Sequence, residues 1–212
     1  MPPSFDVYVS RDDRIEERGY TMGFERLWDD SDIELTFMPE RAYGELRPDD
    51  LDGADGLILL KESVTADSLA GNDDLKVISR FGAGFDNVDL AAATDHGIVV
   101  TNAPQGMRGS VAQATVGMLI VCASHMRRYD RIVRTQGFED RLENMGVELF
   151  GKTLGTIGLG QIGSRVAELL GPFDMTVKTY DPYLSDDRAA QLGVETVDLD
   201  TLLATSDFVT IH

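Results

Sequence analysis

The sequence has 212 residues, of which 42% are hydrophobic, and a formal net charge of −18. A chain of this length and apolar content can bury a core without disulfides, which excludes general disorder. Its 25 Asp and 12 Glu against 15 Arg and 4 Lys repel nucleic acid and anionic lipid, so neither is expected as a partner.

The same composition bears on the environment of the protein. Excess Asp with scarce Lys suits a salt-adapted, possibly halophilic protein, and an ordinary acidic cytoplasmic protein is the alternative. A single cysteine, Cys122, cannot form an internal disulfide, which favours a reducing cytoplasm. The first ten residues lack the features of a signal peptide, and the longest apolar run, Val116–Ala123, is too short to span a bilayer.

The first half of the chain alternates short apolar runs with helix-compatible polar stretches. The runs are rich in β-formers and nearly continuously apolar, which is typical of parallel strands that are covered on both faces. Strands are predicted at Phe5–Val9, Ile33–Phe37, Gly56–Leu60, Leu75–Ser79 and Ile98–Thr101. Helical stretches are predicted near Thr21–Asp29, Asp67–Ala70 and Val88–His96. This alternation predicts an α/β doubly wound sheet.

A long helix is predicted next, from Ser110 as the N-cap to Arg128. It is apolar nearly all round, so we expect it to be buried on most sides. Cys122 on this helix is then interpreted as a small buried hydrophobe rather than a nucleophile. His125, near its end, is interpreted as a surface or capping residue rather than a catalyst.

A second α/β unit is predicted from residue 153 onward. Strands are expected at Thr153–Leu159, Met175–Tyr180 and Phe208–Ile211. A helix is expected to follow the first strand and end near Leu170, and two more are expected at Ser185–Leu192 and Leu199–Ala204. The first strand runs into Gly158-Leu-Gly160-Gln-Ile-Gly163, a G-x-G-x-x-G pattern that opens the helix. With an acid at Asp181, this is the full dinucleotide-binding fingerprint, although a glycine-rich structural turn is the alternative.

Each part of the fingerprint has a physical role. Gly158 permits the tight turn, Gly160 lets the backbone approach a pyrophosphate, and Gly163 lets the helix pack closely on the strand. The amides of Gln161 and Ile162 point from the helix N-terminus toward the phosphates.

Asp181 predicts which dinucleotide binds. Its carboxylate can accept hydrogen bonds from the adenosine ribose, and its charge repels a 2′-phosphate, which favours NAD over NADP. An NADP-dependent protein is the alternative.

A second glycine pattern resembles an ATP-binding motif, but its expected structural context does not fit one. Residues Gly146–Thr153 match the P-loop formula G-x-x-x-x-G-K-[ST]. A P-loop needs a helix after it, whereas a strand is predicted to follow here, so ATP binding is not expected.

Four stretches in this order carry a family resemblance: Leu75–Asp89, Gly97–Pro104, Ser110–Gln113 and Leu149–Gly163. With them the chain resembles the D-isomer-specific 2-hydroxyacid dehydrogenases, which include phosphoglycerate, glycerate and formate dehydrogenases. The resemblance implies a flavodoxin-like N-terminal domain in residues 1–105. It also implies a linking helix and the first βαβαβ half of a Rossmann NAD-binding domain in residues 106–212, with the active site in the cleft.

The resemblance also implies roles for single residues. In the family, the loop matching Gly82, Ala83 and Gly84 binds the substrate carboxylate through backbone amides, as an anion-binding nest would; a plain strand-to-helix turn is the alternative. A basic residue at the position of Lys61 contacts the acidic substrate in some relatives. Two further positions lie near the cofactor in relatives, Thr115 and His212. Asn102 and Pro104 match a turn that is mostly structural.

The catalytic residues of the family are not expected within this chain. A catalytic arginine, a glutamate and a histidine follow the strand that matches Phe208–His212, so the chain resembles a C-terminally truncated member. We expect it to bind NAD weakly without dehydrogenase turnover, and to leave an edge of the strand Thr153–Leu159 bare. The alternative is a non-catalytic NAD-binding or interaction module. The full-length form is expected to be a homodimer that acts on a small 2-hydroxy or 2-keto acid, with no metal site.

Overall fold

Two parallel β-sheets organise the described part of the chain, one in each of two units, Met1–Gly106 and Met107–His212. The computed structural model describes residues 4–10, 24–39, 44–135 and 145–212.

The first unit contains a five-stranded parallel sheet. Its strands are β1 (Phe5–Val9), β2 (Ile33–Phe37), β3 (Gly56–Leu59), β4 (Val77–Arg80) and β5 (Val99–Asn102). They lie in the order β2-β1-β3-β4-β5, which is the order of flavodoxin-like folds and confirms the predicted class. All four residues of β3 are buried, because this strand lies at the centre of the sheet.

Two α-helices of the first unit are described, α1 (Glu25–Trp28) and α2 (Leu90–Asp95), besides a 3-10 helix at Pro48–Asp50. The carboxylate of Asp89 caps α2 by accepting the N–H of Ala92 at 3.0 Å. The helix predicted at Asp67–Ala70 is wrong, because this stretch forms turns. The side chains of Thr65 and Ser68 bond each other's backbone N–H groups at 3.3 and 3.0 Å, which competes with helix formation.

The second unit contains a four-stranded parallel sheet. Its strands are β6 (Thr153–Ile157), β7 (Thr176–Tyr180), β8 (Glu195–Thr196) and β9 (Phe208–Ile211). They lie in the order β8-β7-β6-β9, which matches the first four strands of the Rossmann order 3-2-1-4-5-6 and confirms that fold.

The expected bare edge of the first Rossmann strand is wrong. β6 pairs on one side with β7 and on the other with β9, where Leu154 lies opposite Phe208. The predicted third strand is in fact the fourth, β9, because the two-residue strand β8 precedes it. As the fourth strand, β9 crosses to the other side of β6.

The helix predicted at Ser110–Arg128 is two helices, α3 (Arg108–Ala123) and α4 (Met126–Thr135). The helical conformation is interrupted between them at His125, an exposed residue with φ of 51°. Ser110 is not the N-cap. It lies inside α3, where its hydroxyl donates to the carbonyl of Met107 at 3.2 Å.

The expected burial of this helix is also wrong. Within α3, the buried residues are Ala112, Leu119 and Ala123. Met118 is 62% exposed, and Cys122 is exposed rather than buried. The helix is apolar on all sides, but the described chain covers one side of it, the side that packs in the core with β6 and α5 (Gln161–Leu170).

The remaining described α-helices of this unit are α6 (Asp186–Leu192) and α7 (Leu199–Thr205), and a 3-10 helix follows α5 at Gly171–Phe173. Within the described ranges, no single helix is long and apolar enough to cross a membrane. By length and composition alone, α3 and α4 pass such a test as a pair, with a bend of 55° between them.

Acid should weaken the second unit through two carboxylates at its turns. The N–H of Thr153 holds the pKa of Asp207 below its ordinary value of 3.8, and the N–H and hydroxyl of Thr201 do the same for Asp198. Their stabilisation is therefore complete above the unfolded pKa and is lost as the pH falls through the lower folded pKa. We expect the urea midpoint to fall below about pH 4. The Asp207→Asn variant should show a smaller fall, and an identical acid profile would contradict this origin.

Candidate functional site

A tight glycine turn connects β6 to α5. Gly158 has φ of 88°, a conformation that residues with a side chain rarely adopt, and a Cβ at this position would meet the carbonyl oxygen of His212. A Cβ at Gly163 would lie 2.6 Å from the carbonyl oxygen of Gly158. Both glycines therefore have the steric roles that the sequence predicts, a tight turn and close helix–strand packing.

The middle glycine leaves open space. A Cβ at Gly160 would meet no atom within 4 Å, so the backbone here is accessible to a ligand. Gly160 is the N-cap of α5 and has no side chain to bond the first amides of the helix. Among the described residues, the N–H groups of Gln161 and Ile162 donate to no acceptor. This helix start therefore fits a pyrophosphate, which needs close backbone approach and available donors.

Asp181 lies beside the same turn, directly after β7. One oxygen of its carboxylate accepts the N–H of Leu159 at 2.8 Å, and the other accepts the N–H of Tyr183 at 2.9 Å. Leu159 stands between the first two glycines of the fingerprint, so the structure brings the acid and the glycine turn together. These two bonds hold the carboxylate in place, and its remaining lone pairs can accept hydrogen bonds from ribose hydroxyls.

Thr115 and His212 line one groove of about 430 Å³ in the second unit. The groove runs between α3 and β9, and it is mostly apolar, with Met118, Leu119 and Ile211 among its lining residues. The hydroxyl of Thr115 donates within the helix, to the carbonyl of Val111 at 2.9 Å.

His212 is fixed by the end of the sheet. Its N–H donates to the carbonyl of Ile157 at 3.0 Å, and its ring Nε2 lies 3.1 Å from the hydroxyl of Thr210. Burial lowers the pKa of His212 below its ordinary value of 6.5, which favours the neutral ring.

In the first unit, residues 81–84 form a loop after β4, the Gly82 loop. Gly82 has φ of 147°, and its N–H donates to the carbonyl of Arg80 at 2.9 Å. The N–H groups of Ala83 and Gly84 donate to no acceptor in the described part of the chain. An anion at this loop would therefore find two amides, those of Ala83 and Gly84, rather than the three that the sequence analysis names.

Two contacts with β5 and the turn after it hold the loop. The side-chain amide of Asn102 donates to the carbonyl of Ala83 at 2.8 Å, and the N–H of Ala103 donates to the carbonyl of Gly82 at 2.8 Å. This agrees with the structural role that the sequence analysis gives to Asn102.

Lys61 follows β3 at the same sheet edge as the Gly82 loop. The N–H of Phe81 donates to the carbonyl of Leu59 at 2.9 Å, so the loop begins beside the end of β3. Lys61 is half-buried, and its N–H donates to the carboxylate of Glu62 at 3.1 Å. Carboxyl ends of parallel strands are where ligands bind in open α/β sheets.

Arg80 is a further candidate, which the sequence alone does not indicate. Its guanidinium donates through Nη1 to the carbonyl of Phe81, and a Cβ at Gly82 would lie 2.6 Å from that nitrogen. A positive charge is therefore in contact with the loop. No residue pattern indicates this, because the contact depends on how the loop turns back over the strand end.

We expect Gly82→Ala to destabilise the first unit by about 1–3 kcal/mol, because alanine is strained at this φ and meets the Arg80 guanidinium. Urea unfolding of the two proteins measures the difference. Gly84→Ala is the matched control: its Cβ would meet only the carboxylate of Asp86, at an ordinary 3.6 Å, so little change is expected. Equal losses in both variants would contradict the argument.

The described residues hold no cluster of three or more His, Cys, Asp or Glu side chains that could bind a metal ion. The Gly146–Thr153 pattern leads directly into β6 rather than into a helix, so it lacks the geometry of a P-loop.

The comparisons with known proteins point to one family. Residues 116–212 match the family model described as D-isomer specific 2-hydroxyacid dehydrogenase, NAD binding domain. The D-3-phosphoglycerate dehydrogenase of Archaeoglobus fulgidus is 45% identical over 149 residues, which are 70% of this chain and 28% of that protein. The enzyme of the same name from Bacillus subtilis is 37% identical over 77% of this chain and 31% of its own length.

Solved structures agree with these sequence matches. The D-lactate dehydrogenase of Aquifex aeolicus, complexed with NAD and lactic acid, superimposes with a TM-score of 0.79 and 28% identity, over 97% of this chain and 60% of that one. The apo D-lactate dehydrogenase of Escherichia coli gives a TM-score of 0.72 and 28% identity, over 98% and 64%. The chain spans less than a third of the length of these two phosphoglycerate dehydrogenases. On its sequence and fold, the chain is similar to the D-isomer-specific 2-hydroxyacid dehydrogenases over most of its length, and the match of residues 116–212 to their NAD-binding domain supports NAD as the cofactor.

Proposed function

We propose that this chain forms part of a dehydrogenase that transfers a hydride between the nicotinamide of NAD and C2 of a D-2-hydroxy acid or the matching 2-keto acid. The observation that supports this most directly is the fit of the second unit to NAD. Gly160 leaves room for a pyrophosphate, the first amides of α5 have no acceptor within the described ranges, and Asp181 stands beside the turn. Bound NAD supplies the hydride acceptor for oxidation of the hydroxy acid.

The substrate carboxylate is proposed to bind at the Gly82 loop. The amides of Ala83 and Gly84 are available as donors, and the guanidinium of Arg80 adds a positive charge to the loop. Lys61 follows the neighbouring strand at the same edge. The curated relatives act, by name, on D-3-phosphoglycerate, which makes a phosphorylated hydroxy acid the first substrate to try.

No residue of the chain is proposed as the acid or base of the reaction. The ring Nδ1 of His96 lies 2.9 Å from the carbonyl of Ala92 in its own helix turn, and the ring of His212 contacts Thr210. We therefore propose that the 212-residue chain binds NAD without turning over substrate. A non-catalytic NAD-binding or interaction module of the same family is the second candidate function.

Two measurements on the 212-residue chain test the proposal. Calorimetric titration with NAD should give saturable binding. Reduction of NAD with D-3-phosphoglycerate, and oxidation of NADH with glyoxylate or hydroxypyruvate, should stay at the level of buffer alone. Turnover would contradict the assignment of the acid and base outside this chain. Absence of NAD binding would contradict the proposed function itself.

The coding sequence after codon 212 separates the two candidates. A continuation that encodes an arginine, a glutamate and a histidine in this order supports the dehydrogenase. An immediate stop supports the non-catalytic module.

We also propose that the full-length protein is a cytoplasmic homodimer that acts on small molecules and binds neither nucleic acid nor membrane. The charge of −18 supports the last two points, because nucleic acid and anionic lipid are repelled. Light scattering on the full-length protein should give twice the mass of one chain, and a monomer would contradict the assembly.

Salt is expected to stabilise the protein. At low ionic strength its excess carboxylates repel one another, and at about 1 M salt the screening length falls to about 3 Å. The melting temperature should therefore rise with KCl from about 0.1 M to about 2 M. A matched series in sucrose controls for general exclusion from the protein surface, and a melting temperature that does not change with KCl would contradict salt adaptation.

A further inference from the structure

Asn87 lies beneath the Gly82 loop and bonds in three directions. Its side-chain oxygen accepts the Nε–H of Arg80 at 3.3 Å. Its side-chain amide donates to the carbonyl of Glu62 at 2.6 Å, and its own carbonyl accepts the N–H of Val64 at 2.8 Å. Because Glu62 and Val64 belong to the segment after β3, Asn87 joins that segment to the end of β4, where Arg80 stands.

These bonds fix the direction of the Arg80 side chain. An arginine has several rotatable bonds and loses much conformational freedom when it is held in one place. Here Nε donates to the side-chain oxygen of Asn87 and Nη1 donates to the carbonyl of Phe81, so two hydrogen bonds fix the orientation of the guanidinium. The Nη1 atom then lies over Gly82, where the missing side chain leaves room for it.

We propose that Asn87 is a positioning residue, which holds the Arg80 guanidinium on the Gly82 loop and so preorganises the loop for a carboxylate. The inference rests on the proposed function, because it assigns a carboxylate to this loop. A charge that is already in place costs less to bring to the ligand than one that must be ordered on binding. Asn87 thus acts on affinity through Arg80, without touching the ligand.

A double-mutant cycle with oxalate as the probe tests this role in the 212-residue chain. Asn87→Ala should weaken oxalate binding about tenfold, the usual scale for a lost hydrogen bond to a charged group. Arg80→Gln should weaken it by at least as much. In the Arg80→Gln background, Asn87→Ala should have no further effect, because its partner is gone.

Two further readouts separate positioning from a general loss of structure. In NMR spectra, the Arg80 Nε–H should exchange slowly with solvent in the wild type and faster in Asn87→Ala. Asn72→Ala is the matched control: Asn72 also ties a turn of the first unit, through its amide to the carbonyl of Leu51 at 3.1 Å and its oxygen to the N–H of Leu75 at 2.9 Å. It should lower stability and leave oxalate affinity unchanged.

The outcomes distinguish this inference from the proposed function. Oxalate binding that resists Asn87→Ala, or additive losses in the double mutant, would overturn the positioning role alone. A wild-type chain that binds NAD but no oxalate would overturn the proposed substrate site and the positioning role with it.

Discussion

Gly158→Ala should destabilise the second unit by about 3 kcal/mol or more and weaken NAD binding with it. Alanine is strained at φ of 88°, and its Cβ meets the carbonyl oxygen of His212. That residue cannot move away freely, because its N–H is bonded to Ile157 at the end of the β6–β9 pair. Urea unfolding and calorimetric titration with NAD measure the two effects.

Gly160→Ala is the matched control, because the same methyl group is added in open space. Its effect on the free energy of unfolding should stay below about 1 kcal/mol. NAD affinity should nevertheless fall about tenfold or more, since the methyl group stands where the pyrophosphate approaches the backbone. Equal destabilisation by both substitutions, or unchanged NAD affinity in Gly160→Ala, would contradict the roles assigned to the two glycines.

Asp181→Asn should reduce the preference for NAD over NADP by about tenfold, a difference of about 1.4 kcal/mol. Removing the negative charge removes its repulsion of a 2′-phosphate. The amide keeps an oxygen that can accept the N–H of Leu159, so the turn is retained better than in Asp181→Ala, which leaves the N–H groups of Leu159 and Tyr183 without this acceptor.

Paired titrations of each variant with NAD and NADP give the ratio of affinities. Asp187→Asn removes the same charge from an exposed position in the first turn of α6 and should leave the ratio unchanged. A wild-type chain that binds NADP as tightly as NAD would contradict the role of Asp181.

The strands were predictable where hydrophobicity marks them. β1, β2 and β9 have the predicted bounds, and each begins and ends with an apolar residue. The strand β8 was missed because Glu195 and Thr196 are both exposed and give no apolar signal. The break at His125 was missed because neither glycine nor proline marks it, although the residue has a positive φ.

The candidate site was predictable where a pattern has a fixed geometry. The three fingerprint glycines and Asp181 lie together because a strand, a turn and a helix in this order leave one arrangement. Arg80 and Asn87 are seven residues apart on opposite sides of a loop, and nothing in their spacing indicates that they meet. They come into contact only because the loop between them reverses direction at Gly82, which has a positive φ.

The pairing of β6 with β9 has a consequence for synthesis on the ribosome. Leu154 lies opposite Phe208, so the central strand of the second unit is completed by residues made 54 positions later. At about 5–20 residues per second, that interval is about 3 to 11 s. During it, one edge of β6 has no partner strand, and a nascent chain with an unpaired strand edge is prone to aggregation, which chaperones counter.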